Sequence, residues 1–105
     1  MLVYHATNSQ LLPSVQKVGL DPAFAMQGRR AVWLHTRSAR HWAFLHVCRR
    51  HKIPPERVVI LAVRVPRAWL RRYNRKLWYC GRVIQPERIL QTWTYSQVSE
   101  TWNPQ

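Results

Sequence analysis

Six consecutive apolar residues, Val58-Val59-Ile60-Leu61-Ala62-Val63, constrain this chain more than any other stretch. The run is rich in β-branched residues and lacks the polar alternation of a half-exposed strand. It therefore predicts a central strand covered on both faces. Pro54-Pro55 precede it and Pro66 ends it. With 105 residues the chain is one domain's worth, read here as a single domain over 1–105. The remaining segments must then supply both covering layers.

Those segments are short. Leu2-Val3-Tyr4-His5 reads as a strand, Ala31 to Thr36 as a second, and Leu77-Trp78-Tyr79-Cys80 as another before a turn at Gly81. A last strand starts at Ile89, with Ile89, Gln91, Trp93 and Tyr95 on one side and Leu90, Thr92 and Thr94 on the other. Asn8 or Ser9 can cap a helix that carries Leu11, Leu12, Val15 and Val18 at helical spacing, and Gly19 fits a left-handed C-cap. Ser38 starts a second helix running to about His51, with Ala39, Trp42, Ala43, Leu45 and Cys48 as its apolar positions. Arg67 to Tyr73 reads as a third, short helical segment. The order is β-α-β-α-β-α-β-β. A doubly wound α/β fold shows several long apolar strands and only one is present here. The expectation is therefore an α+β domain, a small mixed β-sheet with flanking helices. The polar tail after about residue 95 reads as loosely held.

Charge narrows the partners. Seventeen Lys and Arg face four Asp and Glu, a formal charge of +13, and Arg greatly outnumbers Lys. Such a surface attracts polyanions, and Arg suits bidentate phosphate recognition, so RNA or DNA is the expected partner. No apolar run approaches the ~20 residues of a membrane span. The opening residues lack the basic and apolar regions of a secretory signal, and Cys48 and Cys80 form no disulfide framework. Together these features predict a cytoplasmic setting without a membrane partner.

Two segments carry the candidate chemistry. His5-Ala6-Thr7 leaves the first strand, and Arg30-Ala31-Val32-Trp33-Leu34-His35-Thr36 puts Trp33 and His35 on one strand face with Val32 and Leu34 on the other. Each alone is also what a structural strand looks like. A metal site is the rival chemistry. His41, His46, Cys48 and His51 are donor types, but their spacing matches no zinc pattern, so no metal is expected. Cys48 and Cys80 sit among apolar neighbours, a poor setting for a nucleophile.

In order, Tyr4-His5-Ala6-Thr7, a helix ending Val18-Gly19-Leu20, and Arg30-x-Val32-Trp33-Leu34-His35-Thr36 resemble the start of the ADP-ribosyltransferase fold. The variant most similar is the RNA 2′-phosphotransferase family, with its His-Gly-Thr, its helix ending in Gly-Leu, and its Arg-x-x-Val-His-Leu-Ser. Val58 to Val65, Leu77-Trp78-Tyr79 and Ile84-x-Pro86 are similar to that family's later segments. The resemblance implies a sheet split around a cleft that binds NAD. His5 would hold ribose, Thr7 would meet the nicotinamide side through its backbone, and Trp33 and His35 would line the nicotinamide pocket. Arg30 would contact phosphate, with Arg37 and Arg40 beside it, and His5, Arg30 and His35 would form the catalytic set.

This sequence has His5-Ala6-Thr7 where the family has His-Gly-Thr. The better-known ADP-ribosyltransferases also use a Glu to stabilise the cationic transition state. Here Glu56, Glu87 and Glu100 all stand away from Leu77 to Tyr79, where that Glu would be expected. The phosphotransferase variant does without it, because its phosphate nucleophile is already anionic and needs only binding and orientation. The expected function is thus an NAD-binding transferase acting on a phosphate or nucleic-acid acceptor, which a toxin-like enzyme would share. The alternative is a non-catalytic basic module on the same fold that binds nucleic acid or another partner.

Overall fold

A computed structural model of the chain describes residues 1–24, 30–94 and 97. It is an α+β domain with one six-stranded sheet and two helices. The strands are β1 (Leu2–Asn8), β2 (Val32–His35), β3 (Val58–Arg64), β4 (Leu70–Arg72), β5 (Leu77–Cys80) and β6 (Ile89–Trp93). The helices are α1 (Leu12–Val18) and α2 (Arg40–Arg50). The sheet order is β4-β5-β2-β1-β3-β6. Among the described residues no helix is long and apolar enough to cross a membrane.

Every strand pairing is antiparallel, where the sequence suggests a mixed sheet. The cause is the placement of β1. Strands β2 and β3 run the same way and are joined through α2, as in a parallel crossover. But β1 lies between them and runs against both, so no parallel strands become neighbours. The apolar run behaves as predicted. All residues of β3 from Val58 to Val63 are buried, and the strand is paired on one side with β1 and on the other with β6. Leu61 and Val63 join Val3, Leu34, Trp78 and Ile84 in one core layer. Val58, Ile60 and Ala62 join Tyr4, Ala43, Phe44 and Val47 in the other, beneath α2.

Three local expectations change. Arg67 to Tyr73 is not a helical segment. Only Arg67–Trp69 forms a 3₁₀ turn after Pro66, and Leu70–Arg72 then becomes β4. A helix that short lacks cooperative support, while pairing with β5 satisfies the backbone and buries Leu70 opposite Cys80. In α2 the buried positions are Ala43, Phe44 and Val47, and Trp42 points outward at 49% exposure. In β6 the pairing shifts between Ala62 and Val63, leaving Leu90 without a partner. This bulge reverses the side-chain alternation. Ile89 therefore packs in the layer of Val63, and Trp93 in the layer of Tyr4. Tyr95 lies outside the described residues.

Helix α1 follows its signals in part. The Asn8 side chain accepts a hydrogen bond from the Gln10 N–H, but it caps a 3₁₀ turn at Ser9–Leu11 that precedes the helix. Pro13 lies in the helix's first turn, and of the expected apolar positions Val15 is buried while Leu11 and Val18 are exposed. Gly19 ends the helix at φ 83° and ψ −164°. That is a glycine-only conformation rather than the left-handed cap expected. It allows Leu20 and Ile84 to exchange two backbone hydrogen bonds of 2.8 Å, and a Cβ at Gly19 would collide with the Ile84 carbonyl.

Candidate functional site at the seam of the sheet

Strands β1 and β3 pair over seven residues, but β1 and β2 share a single pair, Tyr4 with His35. The sheet is therefore two three-stranded halves, β4-β5-β2 and β1-β3-β6, joined at one point. His5 spans this seam. Its Nδ1 lies 2.8 Å from the backbone carbonyl of Trp33. A carbonyl oxygen only accepts, so Nδ1 carries the proton and donates. Burial lowers the His5 pKa against a smaller opposing effect of that hydrogen bond. The ring is thus neutral near pH 7, and its Nε2 is left as a fixed hydrogen-bond acceptor.

Trp33 follows from its register opposite Tyr79 in β5. The two rings lie 5.4 Å apart, and Tyr73 meets the indole edge-on at 5.3 Å. These contacts hold the indole in one place without burying it fully. His35 occupies the same face of β2 two residues on. Its pKa is lowered to about 4, first by burial and then by the charges of His46 and His5. His46, on α2, is itself lowered by burial and by His51 and Arg50.

By register Trp33 and His35 share the α2 face of the sheet with Tyr4, whereas His5, opposite Leu61, belongs to the other face and meets β2 through the Trp33 backbone carbonyl. The structure does not bring the three arginines to one point either. Arg30 is exposed just ahead of β2, whereas Arg37 and Arg40 follow the other end of that strand. Arg40 donates from Nη1 to the Arg37 carbonyl at 3.0 Å, and its guanidinium lies 5.8 Å from the Tyr4 ring. Thr7 pairs with Val59 of β3, two residues along β1 from His5. Glu56 and Glu87 stand in the 3₁₀ turns that precede β3 and β6.

Tyr73 and Tyr79 escape the sequence reading, and His46 enters it only as a metal-donor type. Only the register of β5 puts Tyr79 beside Trp33. His46 has its signal in the four-residue step from Trp42, but that step is legible only once Trp42 is placed outside the core. Among the described residues no three His, Cys, Asp or Glu side chains gather as a metal site needs. The Cys48 thiol is pushed up by burial and by Glu56, away from the thiolate that nucleophilic chemistry requires.

Two shallow depressions open elsewhere on the surface. One of about 300 Å³ lies between α1 and β6, and one of about 340 Å³ is lined by Trp42, Leu45, His46, Arg49 and Arg50 of α2. No protein-family model matches the chain, and no curated protein sequence matches it. What the fold and the seam define is thus a split antiparallel α+β domain with a half-buried, neutral histidine at its joint.

Proposed function

We propose that the chain is an NAD-binding transferase acting on a phosphate-bearing acceptor, with nucleic acid foremost, as the resemblance to the RNA 2′-phosphotransferase family implies. The observation that carries the reading is the hydrogen bond from His5 Nδ1 to the Trp33 carbonyl. It fixes the one tautomer whose Nε2 can accept from a ribose hydroxyl, and the partly exposed Trp33 indole, on the other face of β2, suits a flat aromatic ring. The His5 acceptor suits the ribose of NAD, and the Trp33 face suits its nicotinamide ring. When bound, NAD supplies an electrophilic ribose carbon with nicotinamide as its leaving group.

The remaining work belongs to the chain. His5 holds ribose through Nε2, with Thr7 further along the same strand. Trp33 walls the nicotinamide side. His35, uncharged near pH 7, contributes a polar surface without repelling a cationic ring. Arg30, Arg37 and Arg40 attract phosphate from the two ends of β2. An anionic phosphate nucleophile needs no general base, which suits a seam with no carboxylate on β1 or β2.

Calorimetric titration with NAD tests the reading. The expected result is binding by the native chain, lost in His5→Ala, with nicotinamide released only when RNA or DNA is added. No heat of binding with the native chain overturns it. One observation favours a second reading, a binding module without chemistry: the glutamates in the described region lie in turns rather than on the strands of the seam. Salt-dependent nucleic-acid binding with no nicotinamide release would decide for that module.

A further inference from the structure

Helix α2 shows two stripes. Ala43, Phe44 and Val47 face the sheet and are buried, while Trp42, His46, Arg49 and Arg50 turn outward. A surface helix ordinarily presents polar side chains there, yet Trp42 is 49% exposed and borders the depression of about 340 Å³. The side chain of Lys76, from the turn between β4 and β5, reaches over the indole with its Nζ 4.5 Å from the ring centre. Arg49 and Arg50 form the far wall. From Pro22 to Pro55 and from Arg57 to Pro86 the sequence holds no acidic residue, and Glu56, between the two, acts on Cys48 of α2. His46 on its wall stands on the helix that covers the His35 face of the sheet.

We propose that this outer face of α2 binds single-stranded nucleic acid, with a base stacked on Trp42 and phosphates held by Arg49, Arg50 and Lys76. An aromatic platform in a basic groove is the arrangement by which single strands are held without sequence preference, because every base has a π-face. The charge selects a polyanion, and the exposed indole selects one that carries flat rings. A strand so bound is the acceptor for the transferase. That last step rests on the transferase reading, whereas strand binding does not.

Fluorescence anisotropy with short single-stranded RNA and DNA oligonucleotides, without NAD, tests the site. Trp42→Leu keeps apolar bulk and removes the π-face, so it should weaken binding roughly 5- to 150-fold. Trp42→Phe keeps a ring and should restore most of the affinity. Replacing Arg49 and Arg50 together by Ser should lower the slope of log affinity against log salt by about 1.4, at about 0.7 per phosphate contact on a single strand. Thermal melts should match the native chain, since all three side chains are exposed. Equal binding by Trp42→Leu and the native chain, or equally tight binding of a poly-glutamate peptide of matched charge, overturns the proposal. A failed NAD titration with these oligonucleotide results intact removes the transferase reading alone.

Discussion

His5 and His35 are both held neutral by their surroundings, and this has a definite sign in stability. Each has a folded pKa below its ordinary value of 6.5, with His35 near 4. Between those limits the unfolded chain binds more protons than the folded one, so stability rises with pH across that window. The contribution is fully present above about pH 6.5 and is lost as pH falls toward 4. Urea unfolding at fixed ionic strength should show midpoints falling steadily from pH 7 to 4.5. His35→Gln should flatten that slope, and an unchanged slope would mean that His35 is not the group that resists its proton. Gly19 carries a different constraint. Gly19→Ala would force an L-residue into a glycine-only conformation and drive a Cβ into the Ile84 carbonyl. The expected loss is at least on the order of 2 kcal/mol in chemical denaturation.

At the level of elements, β6 separates what its sequence says from what its pairing does. Read by alternation, Ile89 and Trp93 share a face. The bulge at Leu90 puts them on opposite sides of the sheet. Ile89→Ser should therefore cost about 1–3 kcal/mol, while Leu90→Ser, at a position 53% exposed, should stay within about 0.5 kcal/mol. Equal losses in thermal melts would contradict the bulge. The case shows which parts of the fold were legible. The burial of Val58 to Val63 on both faces, the turn at Pro13 and the stop at Gly19 are local physics written in residue type. The bulge, the strand at Leu70–Arg72 and the antiparallel order depend on which strands become neighbours, and no window of sequence holds that. The seam divides the same way. His5, Trp33 and His35 stand out by type and spacing, but the hydrogen bond that fixes the His5 tautomer needs β1 and β2 to meet at a single pair. Tyr79 joins them only through the register of β5.

For the whole molecule, the question is how a chain with a formal charge of +13 and four acidic residues stays folded. Aromatic faces take the place that carboxylates would fill. Arg67 and Arg72 lie 4.4 and 5.2 Å from the ring centre of Trp78, and Arg82 and Arg88 lie 5.1 and 4.6 Å from that of Trp69. Each indole thus holds two guanidinium groups against a quadrupole rather than a negative charge. Such contacts attract their own arginines but cancel none of the repulsion among them. Net self-repulsion is therefore left for salt to screen, with a Debye length of about 10 Å at 0.1 M and about 30 Å at 0.01 M. The melting temperature should rise as sodium chloride increases from 10 to 150 mM, the reverse of a protein stabilised by surface ion pairs. Two substitutions separate the effects. Arg57→Gln removes an exposed charge at the turn before β3 and should raise the low-salt melting temperature. Arg67→Gln removes a charge that is also stacked, and should lower stability at 150 mM salt by about 0.5–1 kcal/mol. If both changes shift stability equally at every salt concentration, the indole contacts contribute nothing and the charge is managed by screening alone.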